Sequence, residues 1–228
     1  MIKDPILLND WHPVAGAADL ERQNPLAVRL LGEDVVVWQG EGEVLAWKDL
    51  CIHRGAKLSV GRVTADGCLM CPYHGWTYDE SGRCVRMPAH PEQTPPAKAK
   101  TIQYKCDVKY GLIWVCLGEP AHEIPTFPEW EDDSYRNIPS GPYAFRAAAP
   151  RAIENFLDVA HFPFVHEGSL GHPDHAAIAD YEAEYDENGV IAEGIEVWQP
   201  DPDGTGEGGY VTYTYKVLRP LTAYFVKT

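Results

Sequence analysis

Two short groups of metal-binding side chains constrain this chain most: Cys51-Ile52-His53 and Cys71-Pro72-Tyr73-His74, with 17 residues between His53 and Cys71. A thiolate and an imidazole from each group can meet at one centre if two hairpin tips face each other. Zinc sites usually collect like ligands, as C-x2–4-C followed by H-x3–5-H. Each group here mixes one Cys with one His, which suits a [2Fe–2S] centre with two Cys on one iron and two His on the other. A structural zinc site, or four unrelated residues, is the plainer alternative and fits the mixed pairs less well. Gly55 and Gly75 let the backbone turn tightly beside the centre. The chain before them alternates as short strands. Residues 26–38 read as a hairpin with Glu33-Asp34 at its turn, Glu41-Gly42 makes the next turn, and residues 44–47 a third strand. Such spacing indicates a small all-β domain.

With its flanking residues, C-I-H-R-G-A followed by C-P-Y-H-G-W resembles the Rieske signature in the form found in Rieske-type non-haem iron oxygenases. The resemblance implies a [2Fe–2S] cluster held by Cys51, His53, Cys71 and His74. Respiratory Rieske proteins carry an extra Cys in each loop, joined as a disulfide; Ala56 and Tyr73 stand there in this chain. The Ser that donates to a cluster sulfur in that class is replaced by Trp76. Fewer donors stabilise the reduced form less, which predicts a potential at the low end of the roughly −150 to +300 mV Rieske range. Cys68 and Cys71 also form a C-x-x-C, but Cys71 belongs to the stronger pattern. Cys84, Cys106 and Cys116 sit among apolar neighbours and read as buried free thiols.

A net charge of −15 argues against nucleic acid and anionic membrane surfaces as partners. No apolar run approaches the ~20 residues of a membrane-spanning helix, and residues 1–5 lack the apolar core of a signal peptide. Six Cys without a secretion signal point to the reducing cytoplasm. His12, next to Pro13, reads as a structural histidine.

Residues 79–82 turn the chain into 83–87, and Pro88, Pro91, Pro95 and Pro96 mark a rigid loop near the cluster. Residues 101–108 and 112–117 close the sheet around a Tyr110-Gly111 turn. Residues 119–133 then hold six acids, no Lys or Arg, and three prolines. The expected domains are 1–118, the Rieske [2Fe–2S] domain; 119–142, a linker; and 143–228, the N-terminal part of a mononuclear-iron catalytic domain. The fold class is α+β, an all-β domain followed by part of a helix-grip domain of antiparallel sheet plus helices.

The second chemical stretch is residues 151–166, R-A-I-E-N-F-L-D-V-A-H-F-P-F-V-H. Ile153, Phe156, Leu157 and Ala160 fall at helical spacing. Glu154, Asp158 and His161 share a neighbouring face within about 60°. Pro163 ends or bends the helix and swings His166 toward His161. Two His and a carboxylate with open positions make the facial triad of non-haem Fe(II) oxygenases. Seen alone, a helical polar face without metal explains the pattern better. N-F-L-D-x-x-H-x4-H, however, resembles the mononuclear-iron motif of the same oxygenase family. The resemblance makes His161 and His166 iron ligands. It makes Asp158 a carboxylate that hydrogen-bonds a ligand His in its own subunit and a Rieske His of the next. Asn155 matches a polar residue near the iron.

The family's third iron ligand lies far downstream, which implies that this chain is C-terminally incomplete. Glu167, Asp174 and Asp180 are nearby carboxylates with no claim to that place. His172 and His175 lie in a Gly/Pro-rich loop. Residues 179–209 read as a hairpin turning at Asn188-Gly189, and 211–228 as strands. Tyr181, Tyr185, Trp198, Tyr210, Tyr213 and Tyr215 are mostly expected to pack the core.

The compact N-F-L-D-x-x-H spacing and C-x-H-R-x-A-K-L resemble the vanillate O-demethylase and N-demethylase branch. That implies an oxygenase component fed from NAD(P)H through a separate reductase or ferredoxin. It would activate O2 on a small organic, aromatic substrate, as a homotrimer. Ring dihydroxylation, a Rieske electron carrier, and a non-catalytic iron–sulfur protein are the alternatives.

Overall fold

The computed structural model describes residues 2–186 and 189–228. Asn188, half of the expected turn at 188–189, lies outside the described residues. Two compact units divide the chain, Met1–Pro142 and Tyr143–Thr228.

After a one-turn helix α1 (Pro5–Leu8), the first unit is built from ten strands. They are β1 (His12–Gly16), β2 (Leu26–Leu30), β3 (Glu33–Gln39), β4 (Val44–Lys48), β5 (Arg62–Val63), β6 (Leu69–Met70), β7 (Thr77–Tyr78), β8 (Cys84–Arg86), β9 (Gln103–Lys109) and β10 (Leu112–Cys116). Six form an antiparallel sheet in the order β1-β10-β9-β4-β3-β2, and β5 to β8 form a small sheet of their own in sequence order. β3 reads as a continuous apolar run because both of its faces are covered. Val35 and Val37 join one core with Leu30, Ala46, Ile113 and Val115. Val36 and Trp38 join the other with Trp47, Leu58, Leu69 and Tyr78. That second core also contains Cys51 and Cys71, so the ligand loops grow out of its packed interior.

The first hairpin turns at Leu31-Gly32, two residues before the expected Glu33-Asp34. Both residues have positive φ, 50° and 84°. A two-residue turn that follows strand twist needs φ > 0 at both central positions. Gly32 adopts this freely, and Leu31 is held in it by packing against the core. Glu33 is thereby free to enter β3, where it is buried and ion-paired with Lys48 at 3.1 Å. The Tyr110-Gly111 turn has the same form and falls where expected. The acidic stretch that follows begins by packing on this unit. Phe127 and Trp130 flank the Tyr110 ring at 6.0 and 6.1 Å. Of the three isolated cysteines, Cys84 and Cys116 are buried and Cys106 is only half-buried. His12 is buried, its Nε2 2.8 Å from the carbonyl of Leu7.

The second unit contains α2 (Ala149–Leu157), α3 (Phe162–Val165) and one antiparallel sheet in sequence order. Its strands are β11 (Glu182–Asp186), β12 (Gly189–Gln199), β13 (Gly209–Arg219) and β14 (Thr222–Lys227). Ile195 and Val197 of β12 and Val211, Tyr213 and Tyr215 of β13 point to one face. There they pack with Phe156, Leu157, Val159 and Phe162. Helices on one face of an antiparallel sheet beside an all-β unit make the chain α+β.

The continuous helix expected through Ala160 does not form. α2 stops at Leu157, and Asp158 is extended at φ −83°, ψ 108°. The cause is local: Oδ1 of Asp158 accepts the N–H of Ala160 at 2.8 Å, an Asx turn that competes with helix propagation. Val159 consequently takes the buried place expected for Ala160, which is exposed. Pro163 lies in the first turn of α3, where its missing N–H costs nothing, and so starts a helix instead of ending one.

Candidate metal centres

Residues 51–56 and 71–76 close two loops by one hydrogen-bond pattern. In the first, the N–H of Cys51 donates to Ala56 (2.7 Å) and that of Gly55 to Cys51 (2.8 Å). In the second, Cys71 donates to Trp76 (2.8 Å) and Gly75 to Cys71 (3.2 Å). The loops are equal in length although His stands one place later in the second. Gly55 and Gly75 take φ of 75° and 67°, a region L side chains rarely enter. A Cβ at Gly75 would lie 3.0 Å from Pro88, so the proline-rich loop does brace this tip.

The loops sort their side chains by type. Both thiols point inward, Cys51 at 2 % and Cys71 at 1 % exposure, with Cys51 the neighbour of Cys71. Burial pushes the Cys71 thiol up. The two imidazoles face outward side by side, His53 and His74 ring centroids 4.6 Å apart at 65°. Burial, then the neighbouring His74 and Arg54, lowers the His53 pKa. Trp76 stacks on His53 at 4.4 Å and 3°, fixing the ring, and Tyr73 covers His74 at 3.9 Å. Tyr78, wholly buried, places its hydroxyl 3.2 Å from Sγ of Cys51. Burial and Cys51 itself hold that phenol far above its ordinary pKa; toward a metal-bound thiolate, which carries no proton, the hydroxyl would be the donor.

In the second unit, Oδ2 of Asp158 lies 3.3 Å from Nδ1 of His161, and that nitrogen is buried without a well-formed hydrogen bond. The His161 and His166 rings are 5.1 Å apart at 59°, with Phe162 edge-on to His161 at 5.0 Å. The turn of α3 therefore brings the two histidines together, and the Asx turn brings Asp158 to the first of them. Asn155 is exposed on the last turns of α2. His175 stacks on Trp198 at 4.2 Å, outside this group. Tyr213 and Tyr215 are buried, whereas Tyr181, Tyr185 and Tyr210 are exposed, fewer core aromatics than strand periodicity suggests.

Residues 10–109 match the model of the Rieske [2Fe-2S] domain, and residues 145–206 that of the vanillate O-demethylase oxygenase C-terminal domain. The solved structure of NdmA from Pseudomonas putida CBB5 superposes on 97% of this chain and 73% of its own, with TM-score 0.75 and 31% identity. The chain belongs to the Rieske-type non-haem iron oxygenases. Among curated proteins, methylxanthine N1-demethylase NdmA of Pseudomonas putida is 43% identical over 173 residues, covering 73% of this chain and 49% of the relative. The 5,5'-dehydrodivanillate O-demethylase oxygenase subunit of a Sphingobium species is 33% identical over 175 residues, covering 71% and 39%. The chain thus spans about half the length, or less, of these curated relatives. No helix among the described residues is long and apolar enough to cross a membrane.

The family's two iron groups can be tested against the residues present. A [2Fe–2S] cluster fits the first site: two thiols are buried together, two imidazoles lie together, and Nδ1 of His53 is buried without a partner, a donor left for a metal. At the second site His161 and His166 fit the imidazole pair of a facial set. Among the described residues, no three His, Cys, Asp or Glu side chains gather close enough to share one ion. The second group offers two imidazoles and, among those residues, no third donor.

Tyr78 is the residue that motif reading overlooks. The sequence registers the lost Ser donor at Trp76, while Tyr78 restores one donor from β7. Its signal is a lone polar group at an inward strand position, two residues after the loop closes. Tyr78→Phe should lower the cluster potential by on the order of 60 mV, the effect of about 1.4 kcal/mol on a one-electron couple. A donor to a ligand sulfur favours the more negative, reduced form. An unchanged midpoint in a redox titration would show that the contact does not tune the cluster.

Proposed function

We propose that this chain is the oxygenase component of a demethylating or hydroxylating Rieske mono-oxygenase acting on small aromatic or heteroaromatic molecules, with ring dihydroxylation as the nearest alternative outcome. One observation carries the reading: one chain holds both a paired-thiol, paired-imidazole site and a separate His161–His166 pair braced by Asp158. A carrier needs only the first. Cys51, Cys71, His53 and His74 hold the [2Fe–2S] cluster, and His161 and His166 hold Fe(II). When bound, these groups supply one-electron transfer and O2 activation respectively.

The chain's own residues do the rest. Trp76 and Tyr73 lock the two outward imidazoles in place. Asp158 orients His161 through Nδ1, and its half-exposed carboxylate remains available to a Rieske histidine of a neighbouring subunit. Asn155 stands on the same helical segment, beside the iron motif. Phe162 and the apolar inner face of the sheet back the His161 side of the histidine pair with packed side chains. N-methyl or O-methyl groups are the favoured targets, supported by the likeness to NdmA and to the dehydrodivanillate O-demethylase. Electrons come from NAD(P)H through a separate reductase or ferredoxin, the oxygenase works as a homotrimer, and a chain with six cysteines, two of them cluster ligands, suits the reducing cytoplasm.

Iron content tests the reading. The protein expressed from its whole gene should bind about three irons per chain, two as [2Fe–2S] and one at the facial site. With a reductase, 18O from labelled O2 should appear in the product where a ring carbon is hydroxylated, and in the formaldehyde released, trapped as it forms, where a methyl group is attacked. About two irons per chain, with 18O in neither a hydroxylated product nor formaldehyde, would make the protein an electron carrier instead.

A further inference from the structure

Gln199 is a fully buried amide on the apolar inner face of the second sheet, at 1 % exposure. Its Nε2 lies 2.9 Å from the hydroxyl of Tyr213, and its Oε1 lies 2.8 Å from Nζ of Lys227. Tyr213 and Lys227 stand directly opposite each other on β13 and β14. An ammonium group only donates. Lys227 therefore fixes the amide with its oxygen toward β14, and the –NH2 must face the phenol. A second bond, from Nζ of Lys227 to the carbonyl of Pro202 at 3.0 Å, holds the lysine in place.

The consequence falls on Tyr213. Its oxygen is obliged to accept from Gln199, so its own proton must be donated elsewhere. Among the described residues no acceptor takes it. Tyr213 is 3 % exposed, and a buried donor left without an acceptor is destabilising. Its ring packs edge-on against Phe162 at 6.1 Å. Phe162 in turn touches both His161 and His166. The Tyr213 ring therefore lies one ring away from the candidate iron ligands.

We propose that Tyr213 is a ligand-binding residue whose O–H is held ready for a hydrogen-bond acceptor on the substrate, such as a ring carbonyl, with Gln199 and Lys227 as the positioning residues that set its polarity. This rests on the oxygenase reading and narrows its substrates to rings that carry an acceptor beside the reacting group. A methyl-bearing hydrocarbon-like ring would leave the proton unpaired and bind less well, the usual way a buried polar group enforces selectivity.

The test compares wild type, Tyr213→Phe and Lys227→Met in the iron-loaded protein expressed from its whole gene. Resonance Raman difference spectra of the tyrosine doublet, wild type minus Tyr213→Phe, report the phenol's state without any ligand. An accepting phenol is expected in the wild type. Lys227→Met should convert it to a donor, because the freed amide can turn over. Calorimetric titration then uses caffeine, which has ring carbonyls, and 1-methylindole, which has an N-methyl group and none. Tyr213→Phe should weaken caffeine binding by about tenfold and change 1-methylindole by less than about twofold. A donating phenol in the wild type, equal losses for both ligands, or wild type that binds caffeine no better than 1-methylindole would each overturn the proposal. Iron content of the same samples reports separately on the oxygenase reading: about two irons per chain would sink that reading, while the Raman result would still decide the polarity of Tyr213.

Discussion

Asp158→Ala is expected to leave both metal centres loaded and to slow turnover by about a hundredfold, the upper end of what loss of a ligand-orienting partner costs. Asp158 does two jobs with two oxygens. Oδ1 accepts the Ala160 N–H and makes the turn that ends α2, while Oδ2 faces Nδ1 of His161. Alanine removes both. Asp158→Asn separates them, since an amide oxygen can still accept from Ala160 and keep the turn, but the negative charge beside His161 is gone. If the carboxylate links the two centres, single-turnover reoxidation of the prereduced Rieske cluster should be slow in both variants, with the Rieske absorption unchanged. Asn turning over like the wild type would leave Asp158 only its turn-forming role. Iron loss in the Asn variant would assign it to holding His161 alone.

The ligand types of the first centre were legible because they are local: Cys-x-His and Cys-x-x-His sit within single loops, and Gly55 and Gly75 mark where those loops must turn. What tunes the centre was not. The stack of Trp76 on His53 and the contact of the Tyr78 hydroxyl with Cys51 join residues 23 and 27 positions apart. No single-element periodicity encodes them. Around the second centre the residues were legible but the geometry was not. The apolar spacing from Ile153 to Ala160 favours an unbroken helix, and no Gly or Pro interrupts it. A single Asx turn at Asp158 outweighed the spacing and moved burial to Val159. The displaced hairpin turn at Leu31-Gly32 has the opposite lesson: a glycine needed for positive φ outranked two acidic residues that merely look like a turn. The Lys227–Gln199–Tyr213 chain was invisible for a third reason. Strand alternation points Gln199 inward, but its partners come from two other strands.

His161→Ala should remove the mononuclear iron altogether and with it all turnover, while the Rieske absorption persists. The reason lies in how little the second site has to spare. Among the described residues it offers two imidazoles 5.1 Å apart and no third donor, so deleting one leaves His166 alone to hold the ion. His166 is exposed at the C-terminal cap of the one-turn helix α3 and cannot replace its neighbour from there. His161, by contrast, is tied into the fold, with its ring against Phe162 and its buried Nδ1 beside Asp158. Folding should survive the change, because the ring packs at the rim of a core whose bulk is Phe162, Val159, Ile195 and the two buried tyrosines. About two irons per chain in His161→Ala, against about three in the wild type, is the expected result. The same iron content in both, with turnover retained, would mean that the ion binds elsewhere and that the likeness of residues 158–166 to an iron motif is only one of sequence.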